Sequence, residues 1–314
     1  MLLSSLWKKV SNFPDRLGGP HKMYRKPKWS REGVNWPNRQ FSRFIQVGDQ
    51  KWHFQVMGAG PPILLLHGTG SSCHTWAGIA PLLAEHYTIY MPDLPGHGFT
   101  QTPPASGLSL VGMTRLVNDL LTALDVEPEA IIGHSAGAAV AVQLALAGYA
   151  RPRAIVAING AFQPFSGLAA LLFPIAAHVL ALNPVTIFAV STGAKDRSRI
   201  ERLMRSTGSN IPQSSLDRYG DLFTAPGHVA GMLAMMANWN LAPLLRQMFQ
   251  LTPQLTLVIG ARDKAVPPDR QANVAKHAPR VQVLELANLG HLAHEEDPAA
   301  VAAVVLPVLV APKP

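Results

Sequence analysis

A handful of short apolar runs constrain this chain more than anything else in it. Ile63–Leu66, Thr88–Met91, Ala130–Ile132, Ala154–Ile158 and Leu255–Ile259 are too short for helices and nearly free of polar alternation. Runs of that kind are strands buried on both faces, as the central strands of a parallel sheet are. Helical stretches lie between them, from about Leu108 to Leu124, from Ala136 to Leu146 and from Arg270 to Lys276. Phe41–Val47 alternates and pairs with Trp52–Val56 across Gly48–Lys51 as an edge hairpin. Val281–Leu286 is the last strand, and a closing helix starts near Pro298. Strands alternating with helices predict an α/β fold, a mostly parallel eight-stranded sheet with helices on both faces. The strand rhythm stops over 162–250, a stretch rich in Leu and Met and punctuated by Pro164, Pro174, Pro184, Pro212, Pro226 and Pro243. That is too long for a loop, so it predicts a helical lid inserted after the sixth strand. The expected organisation is an arm over 1–40, a core over 41–161 and 251–314, and the lid over 162–250.

Gly133-His134-Ser135-Ala136-Gly137 joins the run Ala130–Ile132 to the Ala-rich stretch that follows. G-x-S-x-G between a strand and a helix is a nucleophile elbow. Gly133 and Gly137 are small because strand and helix approach too closely for side chains. The turn holds Ser135 in a strained conformation, and the helix behind it offers N–H groups to a developing oxyanion. A serine hydroxyl needs a base within reach and a third group to orient that base. In this fold the acid and base follow the serine, at the C-terminal ends of later strands. Asp263 comes just after the strand Leu255–Ile259, and His291 follows the last strand in Asn288-Leu289-Gly290-His291-Leu292. Ser135, Asp263 and His291 are therefore the expected catalytic residues. The N–H of Ala136 and one from His67-Gly68-Thr69-Gly70, with Thr69 preferred over Gly70, form the expected oxyanion hole.

Other polar residues read as structural. His294 starts or caps the last helix, His134 points away from the elbow and packs, and Asp93 holds the turn before Pro95-Gly96-His97-Gly98. After the sixth strand, where a rival carboxylate would stand, the sequence reads Asn159-Gly160. The 12 histidines form no H-E-x-x-H or Cys/His pattern, so no metal is expected. No G-x-G-x-x-G or P-loop follows the first strands, so no cofactor is expected either. The single cysteine, Cys73, forms no internal disulfide and reads as a small buried residue.

The net charge of +8 is confined to the arm. Residues 1–43 hold ten Lys or Arg and two acids, whereas the remainder holds 17 basic and 17 acidic residues. Trp7, Trp29 and Trp36 share the arm with Lys8, Lys9, Arg16 and Lys22. A basic, aromatic arm suits an anionic membrane surface or an acidic partner; it equally suits a strap whose tryptophans pack on the body. No nucleic-acid-binding motif accompanies the charge. Met1–Leu6 is too short for a secretory signal, and Lys8-Lys9 stands on the wrong side of it. The longest apolar stretch, Gly167–Val190, is interrupted by Pro174, His178, Asn183 and Pro184, and predicts two short helices rather than a membrane span.

The strings HGTG at 67–70, DLPGHG at 93–98, GHSAG at 133–137, GARD at 260–263 and GH at 290–291 together resemble the lidded α/β-hydrolase superfamily. A narrower resemblance is carried by the arm segment Ser30–Arg39, by HGTGSSCHTW from His67, by Asn159-Gly160-Ala161, and by the segments around His228-Val229-Ala230 and Met235–Trp239. These are similar to the magnesium-chelatase accessory (BchO-like) family of bacteriochlorophyll biosynthesis. That resemblance implies action near magnesium insertion into protoporphyrin IX, with chelatase subunits or a porphyrin as partners. It also implies a cytoplasmic location or a peripheral one on the inner membrane. It specifies no substrate. A serine hydrolase acting on an ester or similar carbonyl, a non-catalytic porphyrin-binding or chelatase-assisting protein, and a catabolic esterase or carbon–carbon bond hydrolase all remain open. A haloalkane dehalogenase does not, because its nucleophile would be an aspartate where Ser135 stands.

Overall fold

The computed structural model describes residues 24–163 and 183–310. Eight strands form one sheet: β1 Ser42–Val47, β2 Gln50–Met57, β3 Pro62–Leu66, β4 Thr88–Pro92, β5 Ala130–His134, β6 Ala154–Ile158, β7 Gln254–Gly260 and β8 Val281–Leu286. Their spatial order is β1-β2-β4-β3-β5-β6-β7-β8. β1 and β2 pair antiparallel, as do β2 and β4, and every other pairing is parallel. This is the architecture the sequence predicts.

Because side chains alternate along a strand, each central strand feeds two cores. Ile63, Leu65, Ile132, Val156 and Val258 face one layer, where they meet Leu83 of α1 (Ala80–Ala84) and Val301 and Val305 of the closing helix. Leu64, Leu66, Ile131, Ile155 and Leu257 face the other, where they meet Val117 and Leu120 of α2 (Leu110–Ala123) and Val140 and Leu144 of α3 (Ala136–Leu146). Strands apolar at every position therefore read as continuous runs. The edge strands β1 and β8 hold no fully buried residue, which is why polar residues interrupt them.

Between β6 and β7 the described residues contain helices and no strand: α4 Pro184–Gly193, α5 Arg197–Ser206, α6 Gln213–Phe223, α7 Pro226–Ala237 and α8 Ala242–Gln247. After β7 come α9 (Pro268–Val274), then β8, α10 (Ala293–Glu296) and α11 (Pro298–Val310). The sequence does not reveal α1 or α10, because each is a single turn with no amphipathic period to detect. Most of the apolar stretch 167–190 lies outside the described residues; its end forms α4.

Trp7, Lys8, Lys9, Arg16 and Lys22 also lie outside the described residues. The described part of the arm packs on the body. Trp36 is buried, and its ring stands edge-on to Phe99 at 4.8 Å. Trp29 meets Phe99 at 5.0 Å and carries the Arg39 guanidinium 4.5 Å above its ring. Arg25 pairs with Glu32 at 3.0 Å, and Lys26 Nζ donates to Gly96 O at 2.9 Å.

Candidate active site

Because β3, β5, β6, β7 and β8 run parallel, their C-terminal ends share one rim of the sheet. Ser135 caps β5 there at φ 51°, ψ −118°. A left-handed non-glycine residue costs about 1–3 kcal/mol and persists only where its surroundings over-determine it. Here Ser135 N–H donates to Ile158 O, and Ser135 O accepts from the N–H groups of Ala138 and Ala161, each at 3.1 Å. The flanking glycines are obligatory. A Cβ on Gly137 would lie 2.1 Å from Leu66 O, and one on Gly133 would lie 2.5 Å from Ala138 N.

Asp263 and His291 arrive from β7 and β8. His291 Nδ1 and Asp263 Oδ2 are 2.8 Å apart. A carboxylate only accepts, so Nδ1–H donates and Nε2 is left as the basic nitrogen. Asp263 Oδ1 accepts the N–H groups of Ala265 and Val266, both at 2.8 Å. Gln271 Nε2 bonds Val266 O at 2.7 Å and stands 3.3 Å from Asp263 Oδ2. The carboxylate is fixed from three directions.

Ser135, His291, Ala136 and Thr69 line one cavity of about 810 Å³. Ser135 Oγ makes no hydrogen bond among the described residues, and the N–H groups of Ala136 and Thr69 have no acceptor among them. Nucleophile, base and two candidate oxyanion donors thus face the same space. The cavity's apolar wall comes largely from the segment between β6 and β7, through Phe162, Met204, Phe223, Met232, Met236 and Trp239.

Three positioning residues are not evident from the sequence. Asn159 follows β6 at φ 48°; its Nδ2 donates to Gly290 O at 2.8 Å and His291 O at 2.9 Å, and its Oδ1 accepts Gly260 N–H at 2.8 Å. It ties the end of β7 to the His291 loop. A polar residue straight after a wholly apolar strand is the available signal. Gln271 is the second, and nothing in its helical context marks it. His134 is the third, and its expected orientation is corrected. Its ring does not point away from the elbow but lies 4.7 Å from the His291 ring, with Nε2 2.9 Å from His291 O. Burial, with His294 and His291 nearby, drives its pKa well below that of a free imidazole.

Asp93 anchors its turn as expected: Oδ2 meets His53 Nδ1 and Phe99 N–H, and Oδ1 meets Cys73 N–H, all at 2.8 Å. His53, Cys73 and Asp93 hold potential ligand atoms within 4.8 Å of one another. Both Asp93 oxygens are already engaged, however, and burial together with the Asp93 charge pushes the Cys73 thiol far up. The trio braces the turn. His294 sits in the single turn α10, with Nε2 2.7 Å from Thr75 Oγ1.

Residues 63–304, most of the chain, match the alpha/beta hydrolase family. The chain belongs to the α/β hydrolase family. This α/β hydrolase is 38% identical over 264 residues to the magnesium-chelatase 30 kDa subunit of Rhodobacter capsulatus, across 83% of the chain and 92% of that relative. It therefore also belongs with the magnesium-chelatase accessory proteins its motifs resemble. Over 140 residues, 43% of the chain and 51% of the relative, it is 29% identical to the 2-hydroxy-6-oxo-2,4-heptadienoate hydrolase of Pseudomonas putida. Among solved structures, the epoxide hydrolase CorEH superposes with TM-score 0.70 at 22% identity, covering 85% of this chain and 97% of that one. A serine hydrolase involved in carbazole degradation superposes with TM-score 0.68 at 19% identity, covering 85% and 98%. At such identities the likeness is one of fold. No helix of this α/β hydrolase among the described residues is long and apolar enough to cross a membrane.

Proposed function

We propose that the protein is a serine hydrolase acting on an ester or similar carbonyl in bacteriochlorophyll synthesis, near magnesium insertion into protoporphyrin IX. The observation that carries the hydrolase part is that His291, paired with Asp263, and the strained Ser135 line the same cavity. Ser135 Oγ attacks the carbonyl and its proton passes to His291 Nε2. Asp263 holds the resulting imidazolium, and the N–H groups of Ala136 and Thr69 receive the oxyanion. The tetrahedral centre collapses, and His291 returns the proton to the departing alcohol. A water, deprotonated by the same imidazole, then frees Ser135 and leaves a carboxylic acid. Residues 162–250 act as a lid whose Met and aromatic side chains receive a large apolar substrate. The pathway part is supported by the name and likeness of the Rhodobacter capsulatus relative. A fluorophosphonate probe tests the chemistry: the wild type takes the label on Ser135 and Ser135→Ala does not. Absence of labelling in folded wild type removes the hydrolase reading.

A second reading has its own observation, the Ser135 hydroxyl without a hydrogen bond to His291. On it, the protein presents or shields a porphyrin for the chelatase without catalysis. Complementation of a deletion strain separates the two, since Ser135→Ala restores pigment only if catalysis is dispensable.

A further inference from the structure

The candidate cavity is one-sided in charge. Lys264 and Arg270 line it, and among the described residues no aspartate or glutamate does. Lys264 follows Asp263 directly, so the loop that delivers a carboxylate to His291 also places a lysine in the cavity wall. The Lys264 N–H donates to Thr207 O at 3.0 Å, which closes a seam between this loop and the end of α5. Across the seam lies a smaller hollow, of about 300 Å³, lined by Arg205, Arg262 and Lys264 again. Two of these cations have partners: Arg205 pairs with Glu201 at 2.9 Å, and Arg262 bonds Asn288 Oδ1 at 3.2 Å. Lys264 is exposed and has no carboxylate within salt-bridge distance among the described residues. Beyond residue 43 the chain holds 17 basic and 17 acidic residues. Basic side chains with no acid among the described lining residues are therefore a local property of this wall, not spillover from composition.

A cleft lined by one sign of charge attracts the opposite sign and concentrates it. Ester chemistry at Ser135 asks for no such field, because a neutral ester brings no charge to the site. We infer that the ligand of this cavity is an amphipathic carboxylate: an apolar body against Met232, Met236 and Trp239, with a free carboxylate held at Lys264 beside Arg270. For the reacting end this rests on the hydrolase reading; carboxylate recognition is a binding property and stands without it.

The test is equilibrium binding of 1-pyrenebutyrate and of its uncharged analogue 1-pyrenebutanol, read by pyrene fluorescence anisotropy. Wild type binds the acid about tenfold more tightly than the alcohol, as a charge-assisted contact should, and rising salt narrows the gap. Lys264→Gln removes most of that preference by weakening acid binding alone, Lys264→Arg keeps it, and Ser135→Ala keeps it. Equal affinity for acid and alcohol in wild type overturns the inference, and so does a Lys264→Gln protein that retains the preference or weakens both ligands alike. Labelling of wild type by a neutral fluorophosphonate reads the hydrolase proposal separately. Acid preference without labelling removes the nucleophile and leaves the carboxylate site, whereas labelling without acid preference removes the carboxylate site alone.

Discussion

Tyr219 Oη donates to Glu295 Oε1 at 2.7 Å, and that bond joins helix α6 to the turn just past His291. Thr75 Oγ1 donates to the same carboxyl oxygen, and Ser71 Oγ lies 3.2 Å from Tyr219 Oη. One buried carboxyl therefore gathers the loop after β3, the turn after β8 and a helix of the segment between β6 and β7. Ser71 and Tyr219 both line the candidate cavity.

Glu295 should leave a signature in the pH dependence of stability. Burial pushes its carboxyl up to about 7, with Glu296 adding to the rise, while hydrogen bonds from Thr75, Tyr219 and Ser215 hold it down. The folded pKa exceeds the unfolded one, so the unfolded chain loses its proton first as pH rises. The contribution is whole below about pH 4.3, the ordinary glutamate value, and is lost as pH climbs through about 7. Linkage puts that loss at no more than about 4 kcal/mol. His74, His228 and His294 are each held by burial at about 3. They work in the opposite direction and destabilise the fold below about pH 6.5. The clean measurement is thus a difference: the urea midpoint of Glu295→Gln minus that of wild type should grow between pH 5 and pH 8. A flat difference would show that Glu295 is ionised throughout.

Asn159 shows where the sequence stops being legible. The strands could be read because burial on both faces makes them uninterrupted apolar runs. Ser135 and Asp263 could be singled out because each follows such a run, and His291 because it follows the last strand, β8. Asn159 follows one too, yet its sequence context says only that it is not a carboxylate. Its importance lies in three hydrogen bonds to residues more than a hundred positions away. Glu295 and Tyr219 are hidden for the same reason, since their partners become neighbours only once the sheet has closed.

Asn159→Gly should therefore slow the chemistry without unfolding the protein. Glycine accepts the left-handed backbone at this position, so the loss is confined to the side-chain bonds. Misplacing a reacting group by about 1 Å can cost about a hundredfold in rate. We expect fluorophosphonate labelling of Ser135 to slow by roughly that factor at a temperature where circular dichroism shows the fold intact. Unchanged labelling would mean that the His291 loop holds itself.

The elbow glycines predict a steep contrast. Gly137→Ala places a methyl against Leu66 O in the middle of the sheet, where neither strand nor helix can yield. It should cost about 3 kcal/mol or more, at the upper end of overpacking penalties, and give little soluble protein. Gly148→Ala meets nothing within 4 Å and carries only the strain of its φ of 71°. Its cost should stay near 1 kcal/mol. Parallel thermal melts decide, and comparable losses would refute the close approach of strand and helix.

Asp263→Asn should separate orientation from packing. Asp263 Oδ1 accepts two backbone N–H groups, from Ala265 and Val266. An asparagine must present its carbonyl to both, which forces its NH₂ into the Oδ2 position facing His291 Nδ1. Two donors cannot share that contact, so the imidazole moves its proton from Nδ1 to Nε2. Nε2 is then unable to accept the Ser135 proton. Volume and burial hardly change, so the melting temperature should shift by only a few degrees. Labelling of Ser135 should fall by about 10⁴-fold near pH 7, the scale set by the wrong-tautomer variant of a serine triad. Raising the pH should restore part of the rate, as hydroxide takes over the base's role. Wild-type labelling in Asp263→Asn would mean that Ser135 is activated without the imidazole, and the proton path from Ser135 through His291 to Asp263 would have to be abandoned.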